Sequence, residues 1–225
     1  MVGIYYIQNY HGLTNYKIGS DICDIINDYD ISEYKIMNQL IDIKNQNLDI
    51  IFDIRYASTK NVCNIKLYNQ SFCYLHQDCF EKLKIAIKIA KELDLKIKIF
   101  DSYRPVEVQQ FMYNKFIDKE GFVSNPQSGV IPHCRGVAID LTLTENNEKE
   151  LEMGSDFDEF SDLAFHSCDK ISKEARKNRL ILLGIMTNAG FDFYQQEWWH
   201  YQLFNSRQYP VIEADSKMIP NLNFK

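Results

Sequence analysis

The chain has 225 residues, 45% of them hydrophobic and 25% charged, with a formal net charge of -6. That length and balance are those of an ordinary globule with one well-buried core, and they exclude a disordered or fibrous chain. The acidic surplus argues against a nucleic-acid partner, and no run approaches the roughly 20 apolar residues of a membrane span.

Residues 1–39 are the least patterned part and are read as an N-terminal extension of unknown role, with short helices expected at 22–27 and 32–40. The first residues, M-V-G-I-Y-Y-I-Q-N-Y-H-G, lack a basic n-region and do not read as a signal peptide. Residues 40–225 are read as a single domain. L-D-I-I-F-D-I-R-Y at 48–56 is rich in β-branched residues and reads as a buried strand. Asp78 followed by Glu81 resembles a capping box. Behind it Phe80, Leu83, Ile87 and Ala90 recur at helical spacing, which predicts an amphipathic helix over 79–93. L-K-I-K-I-F-D at 95–101 alternates as a strand does, and Pro105 suits the first turn of a helix over 105–117.

V-A-I-D-L-T-L at 137–143 is a second alternating strand. Val137, Ile139, Leu141 and Leu143 share one face; Ala138, Asp140 and Thr142 share the other. A helix over 170–189 is expected to end at Gly190, with F-D-F-Y and E-W-W-H-Y-Q-L following as two strands joined by a tight turn. The mixture predicts an α+β fold, with helices packed around a mostly antiparallel sheet.

Two stretches carry the chemistry. I-P-H-C-R-G-V-A-I-D at 131–140 and E-W-W-H at 197–200 hold His133, Asp140, Glu197 and His200. Two imidazoles and a carboxylate are a ligand set for a catalytic zinc, which leaves its fourth position to water. The spare glutamate is of the right type to take a proton from that water. Each stretch also has a plainer reading. His133 and Asp140 taken alone are a polar loop residue and a strand-edge residue, and a regular strand turns Glu197 and His200 to opposite faces. A bend or bulge is needed before both can serve one metal. D-S-Y-R-P at 101–105 places Arg104 between a strand and a helix, where it can donate to a carboxylate or an oxyanion, or simply pair with Asp101.

Other clusters read as structural. Cys73, His76 and Cys79 lack a fourth partner, as do His166, Cys168 and Asp169, and Cys134 beside His133 has no separate orienting base. The six cysteines, which include Cys23 and Cys63, show no paired framework, so reduced thiols and a cytoplasmic location are expected.

Together, H-C-R-G-V-A-I-D-L-T-L, E-W-W-H-Y, D-S-Y-R-P and the R-Y-A at 55–57 occur in the order seen in zinc D-alanyl-D-alanine dipeptidases. From about residue 40 to 205 the chain resembles that family, whose related folds include zinc D-Ala-D-Ala carboxypeptidases and the amino-terminal domain of hedgehog proteins. The resemblance implies a hedgehog-like, D-Ala-D-Ala-peptidase-like fold over 40–225. It implies one zinc ion per chain held by His133, Asp140 and His200, with Glu197 as catalytic base and Arg104 stabilising the transition state. M-G-S-D-F-D at 153–158 resembles the segment whose last aspartate, here Asp158, holds the substrate's ammonium. Tyr56 and Ser155 fall on residues of the substrate wall. The implied partner is a small D,D-dipeptide, and the implied setting is bacterial peptidoglycan turnover. A carboxypeptidase or murein peptidase acting on longer cell-wall peptides is the rival reading, and a catalytically weak zinc-binding relative is another. One position departs from the pattern: Ile131 stands where the family usually has a serine on the substrate side, two residues before the metal histidine.

Overall fold

Alternation of apolar residues over two stretches builds the centre of the protein. In the computed structural model, which describes residues 40–119, 121–215 and 218, the elements run in the following order. They are β1 (Leu40–Asp42), β2 (Ile51–Phe52), β3 (Tyr74–His76), α1 (Gln77–Glu92), β4 (Leu95–Asp101), α2 (Val106–Lys115), β5 (Ala138–Glu145), α3 (Lys173–Asn188), β6 (Asp192–Phe193) and β7 (His200–Gln202), with short 3-10 turns between them. The fold is α+β. Five strands form one sheet in the order β2-β4-β5-β7-β6, and β1 pairs with β3 in a separate ribbon. β2 runs parallel to β4, while the β4–β5, β5–β7 and β6–β7 pairings are antiparallel.

Burial follows the two periodicities. On β5, Ile139, Leu141 and Leu143 are fully buried in the apolar core with Leu83 and Ala86 of α1 and Leu182 and Met186 of α3. The alternate residues Asp140, Thr142 and Thr144 are buried as well, so the second face of the sheet is covered too. That is the face on which the polar chemistry collects. Where β4 meets β5 the register slips between Ile99 and Asp101, a bulge that leaves Asp101 opposite Asp140.

Several elements differ from the sequence expectation. The strand expected at 48–56 shrinks to Ile51–Phe52, with Asp53 N–H still donating to Ile99 O at 2.9 Å. From Arg55 to Ala57 the chain turns instead, and that turn buries Tyr56. α1 starts at Gln77 and is capped by the His76 ring, which accepts from Asp78 N–H at 3.1 Å. Asp78 therefore lies inside the first turn, and Glu81 pairs with Lys84 at 2.7 Å instead of closing a capping box. α2 is shorter than expected because Pro105 is its N-cap and the helix stops at Lys115. α3 begins where Ser172 Oγ accepts from Ala175 N–H, and Gly190, at φ +93°, turns the chain after it. The short helices expected at 22–27 and 32–40 lie outside the described residues, apart from Leu40 in β1.

Candidate active site

Asp140 sits in the middle of the sheet and is paired in register with His200 of β7. His133 arrives from a 3-10 turn, His133–Arg135, that Gly136 reverses into β5 at φ +66°. A Cβ at Gly136 would lie 2.5 Å from Leu40 Cδ2 and 3.1 Å from the His76 nitrogen, so the reversal needs glycine on both counts.

Three donor atoms meet there. His133 Nε2 is 3.1 Å from His200 Nδ1 and 3.2 Å from Asp140 Oδ1, and His200 Nδ1 is 3.1 Å from the same oxygen. The remaining ring nitrogens are used: His133 Nδ1 faces Ser102 O at 2.6 Å and His200 Nε2 faces Gln202 Oε1 at 3.1 Å. These outward acceptors take the ring protons and turn both lone pairs toward Asp140. Two lone pairs and a carboxylate oxygen crowded together repel unless a positive charge lies among them. Donor atoms on a tetrahedral ion with bonds of about 2.0–2.1 Å are spaced at roughly 3.3 Å, close to the edges of this triangle. The residues present therefore fit a metal ion. Among the described residues neither Cys73, His76 and Cys79 nor His166, Cys168 and Asp169 forms such a group.

Glu197 lies in the turn between β6 and β7. Glu197 N–H donates to Tyr194 O at 3.2 Å and His200 N–H to Glu197 O at 3.3 Å. The strand expected at 197–203 is thus confined to His200–Gln202, and the turn brings Glu197 Oε2 within 3.8 Å of His200 Nδ1. Burial pushes the Glu197 carboxyl up to about 8; nearby Asp140 and Asp158 add to the rise and His200 opposes it.

Arg104 is buried and tied down. Its Nε donates to Asp101 Oδ2 at 3.0 Å, Nη1 to Gln109 Oε1 at 2.9 Å, and Nη2 reaches Asp140 Oδ2 at 3.3 Å. Its guanidinium stands 5.0 Å from the centre of the Tyr56 ring. Pairing with Asp101 and presentation to the site, the two readings open for this arginine, hold together. Asp158, in the left-handed backbone region at φ +61°, turns its carboxylate inward to the Tyr56 hydroxyl.

The structure brings Tyr56, Arg104, His133, Asp140, Asp158, Glu197 and His200 together around one solvent-open cleft, with Ile131 in its wall. Ser155 is not among them. Its hydroxyl accepts from Trp198 Nε1 at 2.9 Å and Arg179 Nη2 at 3.3 Å, on the far side of the turn that aims Asp158. Site residues without a role in the sequence analysis include Gln109 and Gln202, whereas Asp101 pairs with Arg104 as one of its two readings expects. Gln109 had a visible signal, since it sits between Val108 and Met112 on the buried face of α2.

The sequence profile described as the D-ala-D-ala dipeptidase family of M15 peptidases matches residues 37–215. A D-alanyl-D-alanine dipeptidase of Escherichia coli K12 is 33% identical over 174 residues, which are 77% of this chain and 89% of that protein. One from Enterococcus faecium is 35% identical over 144 residues, 55% of this chain and 69% of the relative. With the match running through every element of the site, the chain belongs to the D-Ala-D-Ala dipeptidase family.

Proposed function

We propose that the protein hydrolyses D-Ala-D-Ala, or a similar short D,D-dipeptide, at a zinc ion held by His133, Asp140 and His200 in a hedgehog-like fold. The observation that carries this reading is the triangle of two imidazole lone pairs and a carboxylate oxygen, at 3.1–3.2 Å, beside Glu197 and Arg104. When bound, zinc supplies a Lewis acid that polarises the scissile carbonyl and makes a neighbouring water more acidic. Glu197, held near neutrality by burial, takes the proton of the attacking water and passes it to the leaving amine. Arg104 donates to the carbonyl oxygen as it becomes negative. Asp101 and Gln109 already hold its fork, so little reorganisation accompanies that step.

Asp158 pairs with the substrate's free ammonium. An acylated amine would leave this buried carboxylate with the Tyr56 hydroxyl but no cationic partner, at about 1–3 kcal/mol, which favours free dipeptides over longer cell-wall peptides. The charge balance supports the same assignment. One buried guanidinium faces four acids, Asp101, Asp140, Asp158 and Glu197, and a divalent ion and an ammonium entering the site would favour their ionised forms. Cys63, Cys73, Cys79, Cys134 and Cys168 are free and buried, which suits a reducing, cytoplasmic setting.

The deciding experiment gives zinc-loaded protein D-Ala-D-Ala, N-acetyl-D-Ala-D-Ala and a D-Ala-terminated tripeptide. The free dipeptide is expected to be cleaved in preference to the other two, by roughly 5–150-fold for a difference of about 1–3 kcal/mol. Preference for the acylated or longer substrates would make the protein a carboxypeptidase, and inertness toward all three with metal bound would make it a binding module.

A further inference from the structure

Arg179 lies on α3, behind the site, and is only 3% exposed. Its side chain makes four hydrogen bonds, all to neutral acceptors. Nε donates to Met153 O at 2.6 Å, Nη1 to Phe165 O at 2.9 Å, and Nη2 to Leu163 O at 2.7 Å and Ser155 Oγ at 3.3 Å. A buried charge is costly to desolvate, and an apolar side chain would fill the same core position more cheaply. What this arginine adds is geometry, because its planar fork fixes several acceptors at once.

The acceptors belong to two stretches of the connection between β5 and α3. Met153 and Ser155 lead directly into Asp158. Leu163 and Phe165 flank a short backbone pairing with the turn that carries Glu197: Trp198 N–H donates to Ala164 O at 3.1 Å and His166 N–H to Gln195 O at 3.0 Å. Trp198 closes the loop, with its Nε1 on Ser155 Oγ at 2.9 Å and its ring 5.7 Å from the Arg179 guanidinium. One side chain therefore ties the carboxylate read as the ammonium anchor to the one read as the general base.

We propose that Arg179 is a positioning residue that sets the spacing between Asp158 and Glu197, so that a dipeptide anchored at one end is presented to the base at the other. This rests on the functional reading above. Arg179 touches no substrate; it acts through Met153, Ser155 and the 163–166 backbone. It also accounts for Ser155, whose hydroxyl serves the bracket and not the cleft wall.

The test compares wild type with Arg179→Ala and Arg179→Lys, each checked for fold by circular dichroism and for zinc by elemental analysis. In folded, zinc-loaded Arg179→Ala, kcat for D-Ala-D-Ala should drop by about 10²-fold, the scale of a misplacement near 1 Å. The preference for D-Ala-D-Ala over N-acetyl-D-Ala-D-Ala should shrink with it. Arg179→Lys keeps the charge without the fork and should stay impaired. A hollow lined by His166, Ile171, Arg176, Arg179, Leu180 and Leu183 opens beside the guanidinium, so millimolar methylguanidinium should restore both kcat and preference to Arg179→Ala, while sodium chloride should not.

Amide exchange over 153–158 and 194–199 in the metal-free proteins gives a readout independent of turnover, and should quicken in both segments together. Unchanged kcat, preference and exchange in a folded variant would overturn the proposal, as would loss of folding in the lysine variant as well, which would mark the residue as purely structural. If exchange quickens but wild type itself leaves D-Ala-D-Ala intact, the bracket stands and the functional reading falls.

Discussion

The Tyr56 hydroxyl reaches both carboxylate oxygens of Asp158, at 3.0 and 2.9 Å. Both groups are buried, and the bond favours the ionised acid, yet burial still pushes the Asp158 carboxyl up to about 7, with Asp140 and Asp101 adding to it. An acid so shifted is neutral below that value and loses its hold on an ammonium. KM for D-Ala-D-Ala should therefore rise as the pH falls through about 7. Tyr56→Phe removes a bond to the charged form, so it should move this rise to higher pH. The check is the pH profile of KM for both proteins on D-Ala-D-Ala and on its N-acetyl derivative, which lacks the ammonium and should show no such rise.

Metal binding should fail when its donors go. Asp140→Ala and His200→Ala are expected to lose most of the single bound ion by elemental analysis, and full retention in both would place the site elsewhere. An ion bound only by the folded protein raises its stability by mass action. A chelator should therefore lower Tm in wild type and leave His200→Ala nearly unmoved.

Glu197→Ala should keep its metal and its fold while kcat falls by about 10²–10⁴-fold or more, the usual contribution of a general base. Turnover near the wild-type rate would remove Glu197 from the mechanism.

Ile131 lines the cleft and is 5% exposed, so its apolar side chain forms part of the wall at the position where the family resemblance implies a serine. Restoring that hydroxyl with Ile131→Ser should strengthen dipeptide binding by about 0.5–1.5 kcal/mol, read as a several-fold lower KM with unchanged metal content. Dipeptides with larger apolar second residues should lose by the same substitution if Ile131 packs against them. No change in any KM would show that residue 131 does not face the substrate.

The sequence was legible where structure is local. β4 forms over the residues that alternate, and α1 buries Phe80, Leu83 and Ala90 as their spacing requires. Legibility faded where a neighbour decides. The β-branched run at 48–56 reads as a longer strand than its brief parallel pairing with β4 supports, and His76 displaced Asp78 as the cap of α1. In the site, His133, Asp140, Glu197 and His200 were found by residue type and order. Gln109 and Arg179 were not, because each works through hydrogen bonds to groups unmarked in sequence. A turn also supplied what periodicity could not: Glu197 and His200 face the same way because only the second of them is in a strand.

The register slip in β4 has a consequence for how this protein tolerates change in length. Beyond the slip, Asp101 lies across from Asp140, and the Arg104 side chain spans the two acids. Deleting Phe100, the residue between Ile99 and Asp101, would restore an unbroken ladder with the acid still across from Asp140, but would remove a core side chain that is 1% exposed and packs on Phe157. A one-residue insertion at the Asp94 turn, which precedes the ladder and already holds φ +57°, leaves that alignment intact. Length variation should therefore accumulate at the turn between α1 and β4 and be excluded between Ile99 and Asp101.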